Sequence, residues 1–182
     1  MDPSTEAVVA VQLGRAPRGL RAVAHTCPCG RPDVVQTAPR LPDGTPFPTL
    51  YYLTCPRAAA AISRLEAAGL MKTMTARLAG DAGLRAAYRA AHHDYLARRR
   101  AAAVAAGLAP LPEGTQSAGG MPARVKCLHA LVAHELAVPG GNPFGRETAA
   151  AAGAWWADGP CVPAPDEATV PGAGHESTED RR

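Results

Sequence analysis

The stretch DVVQTAPRLPDGTPFPTLYYLTCP, residues 33–56, joins two β-forming runs through a proline-rich turn. The runs DVVQTAPRL and TLYYLTC are rich in β-branched, aromatic and other apolar residues, which is typical of strands. Asp43 and Gly44 are the strongest turn signal between them, so the stretch predicts an antiparallel hairpin. A register centred on that turn places Cys55 opposite Pro32.

The segments on either side of this hairpin extend the prediction to a complete domain. LRAVAHTC predicts a further strand before it, and Pro56 can occupy the first position of a following helix. Alanine-rich helical patterns follow, and one helix is predicted to begin at Pro122 and run through ARVKCLHALVAHELAV. The fold class is therefore α+β, with a small three-stranded antiparallel sheet packed against four to six helices. We expect one domain over residues 1–157 and a disordered acidic tail over residues 158–182.

The charge is unevenly distributed along the chain. The 182 residues carry a net charge of +3, but six acidic and two basic residues stand in 158–182, which leaves the preceding body strongly basic. Such a body favours a phosphate-bearing small molecule or a protein as partner. Nucleic acid is disfavoured because no aromatic stacking platform accompanies the arginines. The sequence leaves the oligomeric state open.

No apolar run is long enough for a membrane span, and the first residues do not resemble a secretion signal. We therefore expect a cytoplasmic protein without membrane contact. In that compartment, clustered cysteines are more often metal ligands or catalytic groups than disulfides.

The cysteines are the main chemical signal. HTCPCG, residues 25–30, contains two thiols separated by one proline, and the hairpin register delivers a third thiol to the same end of the sheet. Four thiolates suit Zn²⁺ or an iron–sulfur cluster, and a histidine can replace one of them. His25 and His129 are further substitutes. The predicted metal ligands are Cys27, Cys29, Cys55, Cys127 and His134.

The predicted helix after Pro122 limits what it can contribute to one site. Cys127 and His134 would share a face but lie about 10 Å apart along the axis. His129 would point away from Cys127 by more than half a turn. We therefore expect this helix to offer one ligand. Cys161 lies in the predicted tail and is expected to be a bystander, unless the tail folds back over the site.

Two other interpretations remain open. In the first, the protein is a thiol-dependent enzyme acting on an anionic or phosphorylated substrate. Cys55, its pKa lowered at a helix N-terminus, or Cys127 would be the nucleophile, and His129 or His134 the base. The predicted anion-binding residues are Gly120, Arg124 and Lys126, at a glycine-rich helix start. In the second, the cysteines merely pack, and the protein is a partner-binding module.

Two long motifs resemble one known family. They are VQLGRAPRGLRAVAHTCPCGRPDVVQTAPRLPDGTPFPTLYYLTCP and AGGMPARVKCLHALVAHELA, the second followed closely by GNPFG. They are similar to the actinobacterial domain-of-unknown-function family five hundred and one. The resemblance implies a bacterial cytoplasmic protein, and it implies neither an established activity nor catalytic residues that could be carried over.

Overall fold

The computed structural model describes residues 2–163, which form a three-stranded sheet and six helices. The strands are β1 (Leu20–Thr26), β2 (Pro32–Thr37) and β3 (Tyr51–Leu53). The helices are α1 (Pro3–Leu13), α2 (Pro56–Ala67), α3 (Leu70–Gly80), α4 (Ala82–Ala105), α5 (Leu128–Ala137) and α6 (Pro143–Ala152). The predicted α+β class with a small antiparallel sheet is confirmed.

The sheet has the order β1-β2-β3, and both pairs of neighbours are antiparallel. In the β2–β3 pair, Val34 lies opposite Leu53 and Val35 opposite Tyr52, which is the register predicted from the turn. At the turn, Gly44 has a φ of 81°, a left-handed conformation that favours glycine. The proline-rich connection therefore sets the register that brings the end of β3 beside the start of β2.

Helix α5 lies at the centre of the core. Leu131, Val132 and Ala133 in this helix are fully buried, and the helix packs against β3, α2 and α6. The long helix α4 is tied to the sheet by Tyr95, whose hydroxyl accepts a hydrogen bond of 2.6 Å from the Leu50 N–H. The core is thus organised around one short apolar helix, and its largest fully buried side chains are Tyr88, Tyr95 and Phe144.

The helix predicted to begin at Pro122 begins six residues later, at Leu128. Gly119 and Gly120 adopt left-handed φ angles of 61° and 90°, and the Lys126 N–H bonds the Gly119 carbonyl at 2.7 Å. These bonds close the segment into turns, and Cys127 remains extended with a φ of −153°. The prediction was wrong because hydrogen bonds within these turns occupy the backbone groups that a helix would have used.

Helices α5 and α6 approach each other closely at Gly145. A Cβ atom at this position would overlap the Leu131 carbonyl oxygen and would lie 2.8 Å from the Glu135 Cβ. Asn142 caps α6 by accepting a hydrogen bond of 2.9 Å from the Gly145 N–H. The absence of a side chain therefore permits the α5–α6 contact.

The C-terminal segment differs in part from its predicted disorder. Residues 158–163 pack against the domain, and Val162 is buried. Residues 164–182, the rest of the predicted tail, lie outside the described residues. Within the described part of the chain, none of the helices combines the length and apolar character needed to cross a bilayer.

Candidate functional site

The CPCG turn connects β1 to β2 and holds two thiols at the end of the sheet. The Cys27 N–H bonds the Arg31 carbonyl at 2.9 Å, and the Gly30 N–H bonds the Cys27 carbonyl at 2.8 Å. Gly30 has a φ of 82°, which closes this tight turn. Cys27 is buried and Cys29 is half-buried, so the turn presents one thiol to the core and one nearer the surface.

Cys55 reaches the same end of the sheet from the other side of the hairpin. It follows β3 and is the N-cap of α2, and its side chain is completely buried. The Thr54 N–H continues the β2–β3 pairing with a hydrogen bond of 2.8 Å to the Asp33 carbonyl. The hairpin register therefore carries Cys55 toward the CPCG turn, as the sequence predicts.

Cys161 is brought to the cysteines by two long-range hydrogen bonds. Arg57 in the first turn of α2 donates to the Gly159 carbonyl at 2.9 Å. The Gln12 amide of α1 donates to the Cys161 sulfur at 3.3 Å and to the Pro32 carbonyl at 2.6 Å. The C-terminal segment therefore lies over the end of the sheet. Cys161, which was expected to be a bystander, belongs to the group of cysteines there.

These four cysteines, Cys27, Cys29, Cys55 and Cys161, form what we call the thiol cluster. The Cys29 thiol interacts with the thiols of both Cys27 and Cys161, and Cys161 in turn interacts with Cys55. No three of the four sulfur atoms lie within 4.8 Å of one another. The cluster is thus a chain of neighbouring thiols rather than a closed tetrahedron.

Backbone N–H groups point at the sulfur atoms of the thiol cluster. The Cys29 N–H acts to lower the pKa of Cys27, and the Arg31 and Cys161 N–H groups act to lower the pKa of Cys29. The Ala58 and Arg57 N–H groups at the start of α2 act to lower the pKa of Cys55, although Cys55 makes no side-chain capping hydrogen bond there. Hydrogen bonds of this kind stabilise negative charge on sulfur and are a common feature of thiolates bound to metals.

Burial dominates the acidity of the two interior thiols. It raises the pKa of Cys27 to about 12 and the pKa of Cys55 to about 11. For Cys29 burial acts in the same direction, but hydrogen bonds from Arg31, Cys27 and Cys161 outweigh it and lower the pKa. The expectation that a helix N-terminus lowers the pKa of Cys55 is therefore wrong, because complete burial outweighs its N–H donors.

Several buried polar atoms surround the thiol cluster without a hydrogen-bond partner among the described residues. Asp33 has one oxygen 2.6 Å from the His25 ring, while its other oxygen has no partner, and burial raises its pKa. The other unpartnered atoms in the segments that carry the cluster belong to Gln12, Arg31 and Thr54. Such groups in folded proteins often mark a bound ion or ordered water.

Cys127 lies in a different group, with a carboxylate and an imidazole. It is the N-cap of α5, and its sulfur is 4.0 Å from His129 Nδ1. His129 Nδ1 is also 3.3 Å from Glu66 Oε1 of α2. Within residues 2–163, Glu66, Cys127 and His129 are the one set of potential metal ligands whose donor atoms all lie within 4.8 Å. We call this set the Cys127 group.

The acid–base properties of the Cys127 group are strongly linked. The hydrogen bond with Cys127 is the largest contribution to a His129 pKa of about 9. Burial acts to raise the pKa of Cys127, but the hydrogen bonds with His129 and with the Ala130 N–H outweigh it and lower the pKa. The sequence prediction that His129 points away from Cys127 is corrected, because Cys127 precedes the helix instead of lying within it.

His134 joins neither group of cysteines. It is completely buried, its Nε2 lies 3.3 Å from Asp94 Oδ2, and the Asn142 amide faces its Nδ1 at 3.4 Å. Its ring also stacks on Tyr51. The predicted five-residue ligand set is therefore divided among three places, and His134 is a core histidine.

Replacing His134 by glutamine is expected to change how stability depends on pH. Burial lowers the pKa of His134, so below about pH 6.5 the unfolded chain takes up a proton that the folded chain does not. Neutral, buried His134 therefore contributes its full stability to the folded chain above that pH, and this contribution is lost as the pH falls. Urea unfolding from pH 8 to pH 5 should show the gap between wild type and variant narrowing, whereas a constant gap would contradict this assignment.

The predicted anion-binding residues line one open cleft. Gly120, Arg124 and Lys126 contribute to a cavity of about 450 Å³, together with His92 and the 114–116 loop. Neither Cys127 nor His129 belongs to its lining. The cleft therefore does not unite the cations with the nucleophile and base that a thiol-dependent enzyme acting on an anion would require.

Sequence reasoning missed Glu66 and undervalued Cys161. Glu66 lies in the last turn of α2, and only the packing of α2 against α5 brings it to Cys127. For Cys161 a signal was present, since it was the remaining cysteine of the chain and the tail was free to fold back. Gln12, which bonds Cys161, and Arg57, which bonds the nearby Gly159 carbonyl, are distant in sequence, so no local pattern identifies them.

Comparison with known proteins agrees with the resemblance noted in the sequence. No curated protein and no solved structure matches the chain. Residues 23–150 match the model of a family described as "Protein of unknown function (DUF501)". These residues include the hairpin, the CPCG turn, Cys55 and the whole Cys127 group. Because the match spans more than half of the 182 residues, the chain belongs to this family.

Proposed function

We propose that the protein binds a metal through the thiol cluster, as a zinc ion or an iron–sulfur cluster, and that this centre has a structural or regulatory role. The observation that carries the proposal is the convergence of four of the five cysteines from separate segments onto one end of the sheet. Four thiolates with backbone N–H donors are the ligand set that zinc and iron–sulfur clusters use.

The spacing of the sulfur atoms shows how far they must move to bind one metal ion. Four thiolates on one zinc ion lie about 3.8 Å apart, which follows from a zinc–sulfur distance of about 2.3 Å. The thiol cluster is wider than this. Zinc would therefore draw the sulfurs together, and the segment that carries Cys161 is the natural part to move. An iron–sulfur cluster needs less contraction, because its thiolates bind different iron atoms.

The position of the cluster supports a structural role. It lies where the CPCG turn, the start of α2 and the C-terminal segment meet, beside Gln12 of α1. A metal bound there would cross-link segments that are remote in sequence. The protons displaced from Cys27 and Cys55 make binding dependent on pH, because both thiols are protonated near neutrality.

Elemental analysis of protein purified without oxygen tests the proposal. We expect the wild-type chain to retain stoichiometric zinc or iron, and the Cys161→Ser variant to lose at least one equivalent of it. Visible absorption distinguishes the metals, since an iron–sulfur cluster is brown and zinc is colourless. The same pair of proteins is measured in the Cys127→Ser background as the control, so that a thiol outside the cluster contributes metal to neither. Equal metal content in wild type and Cys161→Ser would refute the proposal.

A further inference from the structure

The Cys127 group has the features of a second metal site, independent of the thiol cluster. Its members come from two helices that pack together, Glu66 from the end of α2, and Cys127 and His129 from the start of α5. The Leu128 N–H donates to Glu66 Oε1 at 2.6 Å, which fixes the carboxylate beside the start of α5. The side chains of Glu66 and His129 remain 21% and 27% exposed, so an ion can reach them from solvent.

The orientation of the His129 ring is set from its far side. Its Nε2 lies 3.1 Å from the Ala59 carbonyl oxygen, which can only accept a hydrogen bond, so Nε2 carries a proton. Nδ1 is then the atom directed at both the Cys127 sulfur and the Glu66 carboxylate. A metal-bound histidine usually has this arrangement, in which one ring nitrogen donates to a carbonyl and the other faces the ligands.

The three donor atoms surround a point that needs positive charge. A thiolate, a carboxylate and the lone pair of Nδ1 would repel one another unless a cation lay between them. A proton on Nδ1 is one solution, and a divalent ion is the other. One thiolate and one carboxylate balance a charge of +2, so a half-buried site would be electrically neutral once the ion is bound.

The distances match those around zinc. Sulfur, nitrogen and oxygen ligands of a tetrahedral zinc ion lie about 3.3–3.6 Å apart, given its ordinary bond lengths. The Nδ1–Oε1 distance is 3.3 Å and the Sγ–Nδ1 distance is 4.0 Å. All three donor atoms lie within 4.8 Å of one another, so the group would contract on binding an ion. Three protein ligands leave a fourth position, as in zinc sites that bind water or substrate.

We propose that Glu66, Cys127 and His129 bind a divalent transition metal ion, zinc being the best fit, with one coordination position open to an oxygen donor. The open position separates this site from the thiol cluster, in which four thiolates would complete the coordination. The two sites share no residue, so either can be present without the other.

Cobalt(II) titration of the full chain tests the second site, because a thiolate bound to cobalt gives a characteristic near-ultraviolet absorption. To exclude cobalt bound by the thiol cluster, the comparison is made in the Cys161→Ser background. We expect the band in Cys161→Ser, and its loss in Cys127→Ser/Cys161→Ser with affinity weakened by more than about 100-fold. Glu66→Gln keeps an acceptor for the Leu128 N–H but removes the charge, and should weaken binding at least about 10-fold. A band that survives in folded Cys127→Ser/Cys161→Ser, or that is absent from Cys161→Ser, would overturn the proposal without deciding whether the thiol cluster binds metal.

Alkylation of the wild-type chain provides a test that needs no variant. The Cys127 pKa is lowered and the residue is half-buried, so iodoacetamide should modify it near neutral pH. Added zinc should slow modification of Cys127 by at least about 10-fold, as measured by mass spectrometry of its peptide. Unchanged modification at saturating zinc would mean that the thiolate and imidazole are paired by a proton alone, and the metal assignment would fall.

Discussion

A strong chelator is expected to lower the free energy of unfolding of the wild-type chain by about 4 kcal/mol, the contribution of an ion present at a thousand times its dissociation constant. The Cys161→Ser variant should already have lost this contribution. Cys161 is half-buried and serine has nearly the same shape, so little packing energy is lost with the sulfur. A large loss of stability on this substitution would therefore come from the loss of bound metal rather than from poorer packing of the core.

The comparison is made with urea unfolding of both proteins, each with and without chelator. An ion at the Cys127 group is removed equally from both, so it cancels in the difference. We expect the chelator to destabilise wild type by about 4 kcal/mol more than Cys161→Ser. If the chelator shifts both unfolding curves by the same amount, the thiol cluster holds no stabilising metal.

Replacing Gly145 by alanine is expected to destabilise the protein by about 3 kcal/mol or more, because the new methyl group would overlap the backbone of α5. The clash involves the Leu131 carbonyl, and the Glu135 Cβ restricts movement in the other direction. Neither atom is the free end of a flexible side chain, so α6 itself must shift. This movement would also disturb the α5–α6 packing around buried His134.

Gly80→Ala is the matched control for this effect. Gly80 ends α3, and a Cβ atom there would have nothing within 4 Å. Alanine is preferred to glycine in helices by up to about 1 kcal/mol, so the control should be neutral or stabilising. Thermal unfolding of both variants provides the comparison. Equal stability of the two would show that the α5–α6 contact is looser than the structure indicates.

Those parts of the fold that local chemistry determines could be predicted from the sequence. The β-forming runs of β2 and β3 and the Asp43–Gly44 turn gave the correct register, and with it the position of Cys55. The start of α5 could not be predicted in this way. The Gly119 carbonyl bonds the Lys126 N–H within the preceding segment, and the Thr75 hydroxyl, remote in sequence, accepts a hydrogen bond of 3.0 Å from the Val125 N–H.

The same limit explains why the predicted ligand set is not gathered at one place. A cysteine inside a helix and one that precedes it point in different directions. Because the helix begins after Cys127 and not at Pro122, Cys127 lies beside Glu66 and His129. Cys161, and not Cys127 as predicted, lies beside Cys29 and Cys55, because two side chains bind the C-terminal segment. Chain reversals of this length leave no periodic pattern in the sequence.

X-ray absorption at the metal edge, on Cys127→Ser protein purified without oxygen, tests metal binding by the thiol cluster most directly. The variant removes the second site, so the spectrum reports the cluster alone. The expected first shell is sulfur, with four scatterers at about 2.3 Å if the metal is zinc. A first shell dominated by nitrogen or oxygen, or the absence of bound metal from folded protein, would contradict the proposed function.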